Sequence, residues 1–113
     1  MKLWIDDIRP APEGYVWVYT VNTAKMHITL HEGLKERLVK EFPNKLSTFD
    51  DIELIDIDHD AGEYAFDGGD YIKLLDWLEE TSRNYPIRIH SANPVGVANM
   101  RRIIQRNGWK EVF

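Results

Sequence analysis

Short apolar runs alternate along this chain with segments of helical periodicity, and this alternation limits the folds that the chain can adopt. Runs rich in β-branched and aromatic residues predict strands at residues 2–5, 15–21, 52–57 and 86–91, with a short edge strand at 109–113. Apolar residues spaced by three and four predict helices at residues 23–42, 71–78 and 95–106. Helices between strands imply right-handed crossovers and a parallel sheet. We therefore predict a doubly wound α/β domain, with a mainly parallel five-stranded sheet covered on both faces and a long helical segment after the second strand.

The size and composition predict one folded domain over residues 1–113. Of these 113 residues, 43% are hydrophobic and 29% charged, which is typical of a folded protein. The absence of a long apolar run and of a signal-peptide pattern favours a cytoplasmic monomer that does not bind membranes. With no cysteine, any metal site must use oxygen or imidazole ligands. The net charge of −5 argues against binding along an extended nucleic acid, but it is compatible with a small phosphate ligand or an RNA 3′ end.

Polar clusters follow three of the predicted strands. Asp6 and Asp7 come after the first strand, and Asp58, His59 and Asp60 come after the strand at 52–57. A third cluster begins with a histidine and a serine at positions 90 and 91. In open parallel sheets, ligands bind beyond the carboxyl ends of the strands. The sequence therefore predicts a site at this edge of the sheet.

The carboxylates of Asp6, Asp7 and Asp58 are the candidate metal ligands. If the first and third strands are neighbours, these three acids converge, and such a cluster needs a cation, a shared proton or a basic ligand. Oxygen ligands favour Mg²⁺, with Mn²⁺ as the alternative. The competing interpretation is that Asp6, Asp7 and Asp60 only cap turns, a common use of aspartate.

Two histidines, His59 and His90, are the candidate proton carriers. Because they end different strands, one can accept a proton while the other donates one, as opening a phosphodiester requires. Together with Asp58 they form the predicted catalytic set. The predicted substrate-binding residues are Arg9, Asp60, Ser91 and Asn93. Alternatively, His90 is only a hydrogen-bonded residue at a strand end, and Arg9 is the partner of an acid in the first cluster.

Three ordered motifs give this sequence a resemblance to a known family. They are residues 3–12 (LWIDDIRPAP), Asp58-His59-Asp60 with Gly62, and residues 90–96 (HSANPVG) with Asn99 and Met100. Together they resemble the cyclic-phosphate processing receiver domains, small relatives of the two-component receivers. The resemblance implies a receiver-like or flavodoxin-like sheet and the processing of cyclic phosphate ends, such as those of RNA, by the matching acidic and histidine positions. Two departures are the residues at Asp56 and Ala61, and a segment at 26–49 that is longer than in the family pattern.

Two other functions are compatible with the same fold. In a phosphoaccepting signalling domain, Asp58 would take the phosphoryl group, Asp6 and Asp7 would hold Mg²⁺, and Ser91 would be the switch hydroxyl. Such receivers also need a lysine at the carboxyl end of the last strand, whereas Lys110 lies near the start of the short final one. In a non-catalytic interaction domain, the acidic cluster would only bind a metal or a basic partner.

Overall fold

A computed structural model describes all residues, 1–113, as four strands, three α-helices and two short 3₁₀ helices. The strands are β1 (Lys2–Ile5), β2 (Tyr15–Val18), β3 (Leu54–Ile57) and β4 (Ile87–Ile89). The helices are α1 (Val21–Glu41), α2 (Ile72–Glu80) and α3 (Pro94–Asn107), and the 3₁₀ helices are Pro43–Thr48 and Gly62–Phe66. No helix combines the length and apolar character that crossing a bilayer requires.

The four strands form one parallel sheet in the order β2-β1-β3-β4. The predicted fifth strand at 109–113 is not formed. Only Glu111 pairs with Ile87, through a single bridge held by backbone hydrogen bonds on either side of Ile87. Since β4 itself has only three residues, there is little edge for a further strand to pair with. The sheet is therefore four-stranded.

The second strand is shorter than predicted because α1 begins at Val21, within the predicted strand. Thr20 is the N-cap of α1, and its hydroxyl accepts a hydrogen bond from the N–H of Thr23 at 3.0 Å. Helix α1 then runs for 21 residues. The loop before α3 ends in a similar way, with the side chain of Asn93 accepting from the N–H of Gly96.

The hydrophobic core lies on one face of the sheet. Alternate strand residues such as Leu3, Ile5, Ile55 and Ile57 are fully buried there. They share one cluster with the buried residues of all three helices: Val21, Ala24 and Ile28, then Leu74, Leu75 and Leu78, and then Met100, Ile103 and Ile104. The other face carries Trp4, Asp56 and Arg88 and no helix.

The prediction of helices on both faces was therefore wrong, and the strand order explains why. Right-handed crossovers lie on one face when the chain moves across the sheet in one direction, and on the other face when it moves back. The connections after β2, β3 and β4 all move the same way and carry the helices. Only the connection from β1 to β2 moves the opposite way, and residues 6–14 contain no helix.

Candidate functional site

The carboxylates of Asp6, Asp7 and Asp58 converge at the carboxyl edge of the two central strands. The pairing of β1 with β3 places Ile5 opposite Ile57, so the next residues, Asp6 and Asp58, leave the sheet side by side. One carboxylate oxygen from each of the three acids lies within 4.8 Å of the others. The predicted strand neighbourhood of these acids is thus observed.

The three acids differ in their electrostatic surroundings. Burial would raise the pKa of Asp6, but hydrogen bonds from the N–H groups of Ile8 and Arg9 and from His90 outweigh it and lower that pKa. Burial raises the pKa of Asp7, and the negative charges of Asp6 and Asp58 add to this effect. A cluster made only of carboxylate oxygens and carrying excess negative charge suits a hard divalent cation such as Mg²⁺. These three residues could therefore hold one.

Gly62 allows the carboxylate of Asp7 to take its place in the cluster. Its φ of +55° is in the left-handed region, and a Cβ atom there would lie 2.4 Å from Oδ2 of Asp7. The glycine of the second motif is therefore required for a steric reason: it leaves room for the carboxylate of Asp7. Any side chain at this position would push the acid away from its neighbours.

His90 lies between two buried carboxylates. Its Nε2 donates to Oδ2 of Asp6 at 2.8 Å, and its Nδ1 donates to Oδ1 of Asp56 at 2.7 Å. The ring stacks on Trp4 with 3.8 Å between centroids and 3° between planes. Arg88 donates to the second oxygen of Asp56 at 3.1 Å. Both ring nitrogens are thus occupied, as in the alternative interpretation of His90 as a hydrogen-bonded residue at a strand end.

His59 has one occupied and one free ring nitrogen. Its Nδ1 donates to Oδ1 of Asp60 at 2.9 Å, and this bond, assisted by the amide of Asn93, lowers the pKa of Asp60. Its Nε2 makes no hydrogen bond within the protein, and its side chain is 15% exposed. The ring packs directly on Gly96 in the first turn of α3. His59 and Asp60 therefore form a dyad, and Asp60 orients the imidazole.

The other predicted substrate-binding residues take part in the loops around the site. Arg9 donates through Nη1 to the carbonyl oxygen of His90 at 2.6 Å, so it bridges the loops after β1 and β4 rather than pairing with an acid. Oγ of Ser91 accepts from the N–H of Asn93, and Asn93 caps α3. All three lie at the same edge of the sheet as the acidic cluster.

The carbonyl of Lys110 accepts from the N–H of Ile87, at the opposite end of β4 from His90. The lysine that a phosphoaccepting receiver needs is therefore not supplied by Lys110.

Sequence reasoning missed the supporting contacts. From the sequence, Asp56 is only a departure from the family pattern, although its alternation with Ile55 and Ile57 in the strand places its side chain on the face of the sheet opposite the core. That spacing was the available signal. The stacking of Trp4 on the histidine and the close approach of Gly96 to His59 depend on three-dimensional packing that no spacing predicts.

Comparison with known proteins identifies the family. The family model described as cyclic-phosphate processing receiver domain matches residues 1–106. No curated protein and no solved structure matches the chain. The family match covers all three motifs at the sheet edge. The chain therefore belongs to the cyclic-phosphate processing receiver domain family.

Proposed function

We propose that this protein is a phosphoesterase that opens 2′,3′-cyclic phosphates of nucleotides or RNA 3′ ends. One observation carries the proposal: the carboxylate of Asp60 orients the ring of His59 and leaves its second nitrogen free, and His59 is the residue after Asp58 of the three-acid cluster. Opening a cyclic phosphodiester with water needs a proton acceptor and neutralisation of the phosphate charge. The dyad of His59 and Asp60 suits the first task and the cluster, with a cation, suits the second.

In this proposal, His59 is the proton acceptor. Its Nε2 takes a proton from the attacking water, whose oxygen forms a bond to phosphorus. The bond from phosphorus to one ribose oxygen breaks, and that oxygen takes a proton from bulk water while His59 returns its proton to the solvent, which leaves a phosphomonoester. Asp60 fixes the ring and stabilises the imidazolium, as carboxylates do in other catalytic dyads.

We assign His90 a positioning role. Both of its ring nitrogens donate to carboxylates, so it has no lone pair for a water proton. Its hydrogen bond to Asp6 fixes that carboxylate in the cluster and helps to lower its pKa. Asp6, Asp7 and Asp58 would hold the divalent cation, which when bound neutralises the phosphate oxygens. The free nitrogens of Arg9 would contact the phosphate.

The test is turnover of 2′,3′-cyclic nucleotides and of cyclic-phosphate-ended RNA, with and without a chelator. The variant His59→Ala should lose turnover by about 10²–10⁴-fold. His27→Ala is the matched control, since His27 lies in α1 and belongs to neither the acidic cluster nor the dyad. Full activity in His59→Ala would overturn the assignment. Activity that persists with chelator would leave the histidine dyad in place and remove the cation from the mechanism.

A phosphoaccepting role is the second candidate, because three acids at this sheet edge are also the arrangement that such domains use. It predicts labelling by acetyl phosphate that disappears in Asp58→Asn. The position of Lys110 at the other end of β4 weighs against it. A protein that binds Mg²⁺ or Mn²⁺ in calorimetry, but turns over no phosphate and accepts none, would instead be a non-catalytic binding domain.

A further inference from the structure

A hydrogen-bond network joins the end of the 3₁₀ helix Gly62–Phe66 to the start of α1. Asp67, the residue after this 3₁₀ helix, accepts through Oδ2 from the hydroxyl of Thr20 at 2.8 Å and through Oδ1 from the amide of Asn22 at 2.9 Å. Its carbonyl oxygen accepts from the N–H of Asn22 at 3.2 Å. Asp67 is thus tied by side chain and backbone to the first residues of α1.

The charge of Asp67 suits this position. The positive end of a helix dipole favours a carboxylate, and the first turn of α1 has no acid of its own. Hydrogen bonds from Thr20 and Asn22 lower the pKa of Asp67, which stabilises its charged form. Asp67 is therefore held at α1 by charge as well as by hydrogen bonding.

Gly68 seats the same segment directly on α1. Its φ of +109° favours glycine, and a Cβ atom there would lie 2.8 Å from Cβ of Val21 and 3.1 Å from the backbone nitrogen of Asn22. Val21 is fully buried in the core. The segment therefore rests on a fixed part of the helix, with no room for a side chain between them.

The other end of the 3₁₀ helix touches the acidic cluster, because Gly62 packs against Oδ2 of Asp7. Backbone hydrogen bonds connect the two ends: the N–H of Tyr64 donates to the carbonyl oxygen of Ala61 at 3.0 Å, and the N–H of Asp67 donates to that of Tyr64 at 3.2 Å. A movement of Asp67 away from α1 would therefore shift Gly62 and leave the carboxylate of Asp7 free to move.

Asp7 depends on this contact more than the other two acids of the cluster do. The carboxylate of Asp6 accepts from two N–H groups of the loop that follows it, and that of Asp58 accepts from the N–H of the next residue. For Asp7, the one backbone N–H that stabilises the carboxylate is its own. Its place in the cluster is therefore set mainly by packing against Gly62.

The first part of the loop after β3 has separate anchors. The carbonyl oxygen of His59 accepts from the N–H of Tyr71 at 2.9 Å, and the N–H of Ala61 donates to Oδ1 of Asp70 at 3.0 Å. Neither bond involves Asp67. Loss of the bonds at Asp67 should therefore loosen the 3₁₀ helix and leave the dyad of His59 in place.

We propose that Asp67 is a positioning residue for the cation site. Its bonds to Thr20 and Asn22 hold the 3₁₀ helix on α1, and that helix in turn places the carboxylate of Asp7 in the three-acid cluster. This inference rests on the proposed function, since it concerns how the cation of that function is bound. Asp67 contacts neither cation nor substrate, so its effect is on cation affinity and is exerted through Asp7.

The test measures binding of Mg²⁺ and Mn²⁺ by calorimetry, well below the thermal transition of each variant. Asp67→Ala removes both accepting oxygens and should weaken binding about 10-fold, as loss of an outer-shell partner does. Asp67→Asn should restore binding, because its amide can donate to the hydroxyl oxygen of Thr20 while its carbonyl oxygen accepts from Asn22. Asp76→Ala is the matched control, since this acid lies on α2 and has one ion pair, with Lys73 at 3.9 Å. Unchanged affinity in Asp67→Ala would overturn the inference.

Two further measurements separate positioning from general destabilisation. The ring signals of His59 in NMR spectra should stay in place in Asp67→Ala, whereas unfolding of the whole loop would shift them. Adding Asp67→Ala to Gly62→Ala should weaken binding by less than the product of the two single effects, since both act through Asp7. Shifted ring signals, or independent effects, would contradict the proposed role. If Asp67→Ala does not fold, Asn22→Ala, which removes one donor, should weaken binding in the same direction.

Failure of this inference and failure of the proposed function give different results. A wild type that turns over cyclic phosphates and binds the cation with the same affinity as Asp67→Ala overturns the inference alone. A wild type that binds the cation more tightly than Asp67→Ala, but turns over no cyclic phosphate, supports the inference and overturns the proposed function. A wild type that binds neither Mg²⁺ nor Mn²⁺ overturns the inference and removes the cation from the mechanism.

Discussion

The contact between Gly96 and His59 gives the sharpest prediction about the site. A Cβ atom at Gly96 would lie 2.5 Å from Cγ, 2.6 Å from Cδ2 and 2.9 Å from Nδ1 of His59. Optimal contacts between carbon atoms are about 3.5–4.0 Å. In Gly96→Ala the imidazole must therefore retreat by about 1 Å. Such a shift weakens its bond to Asp60 and moves Nε2 away from the reacting water.

The size of the effect follows from this displacement. A misplacement of about 1 Å in a catalytic group lowers turnover by about 10²-fold. The effect on stability is small, because the overpacking costs about 1–3 kcal/mol and alanine in a helix gains about 1 kcal/mol over glycine. We expect Gly96→Ala to fold, to bind divalent cations like the wild type, and to lose about 99% of its turnover.

The measurement pairs turnover of a cyclic nucleotide with NMR signals of the His59 ring and a thermal melt. Gly33→Ala is the matched control, because a Cβ at that position in α1 has nothing within 4 Å. That control should be more stable by about 1 kcal/mol and fully active. If Gly96→Ala keeps wild-type turnover and unshifted ring signals, the proposed contribution of ring position to catalysis is refuted.

Three further predictions concern the cluster and the charge network. Gly62→Ala should weaken Mg²⁺ or Mn²⁺ binding about 10-fold in calorimetry, since it displaces the carboxylate of Asp7; an unchanged Kd would contradict the cluster as the cation site. Burial would raise the pKa of Glu32, but hydrogen bonds from Arg83 and a tyrosine outweigh it, so folding lowers that pKa. Glu32→Gln should therefore lower the free energy of unfolding by about 1 kcal/mol at pH 7. In urea titrations, this difference from wild type should disappear as the pH falls below the lowered pKa. Asp56→Ala should destabilise the fold by about 3 kcal/mol, because it leaves a buried imidazole without one partner; a loss below about 1 kcal/mol would show that this pair is not needed for stability.

The sequence predicted the parts of the fold that depend on local periodicity. The strands and helices are where hydrophobic spacing indicated, and the acids Asp6 and Asp58 are neighbours because adjacent parallel strands end together. Strand ends were less accurate, since Thr20 can continue a strand or cap a helix and only tertiary contacts decide. The missing fifth strand also depends on tertiary contacts, because the short β4 offers Glu111 only a single bridge.

The roles of the two histidines were beyond sequence reasoning. Both follow strands, and the sequence beside His90 contains no acid, so nothing local shows which carboxylates its ring meets. Their difference arises from partners distant in the chain: Asp56 occupies the second nitrogen of His90, whereas nothing occupies that of His59. Which nitrogen remains free is a property of packing between strands, and it separates a positioning residue from a proton acceptor.

The one-sided arrangement of helices gives each strand two different tolerances to mutation. On the helix side, Ile55 and Ile57 lie in a packed core where volume decides which substitutions survive. On the other side, Asp56 is held by hydrogen bonding to His90 and Trp4 by stacking on its ring, so the chemical type of a side chain, rather than its volume, decides which substitutions survive. A saturation mutagenesis profile along β3 should therefore alternate residue by residue between two substitution patterns, and that alternation would record which face of the sheet carries the site.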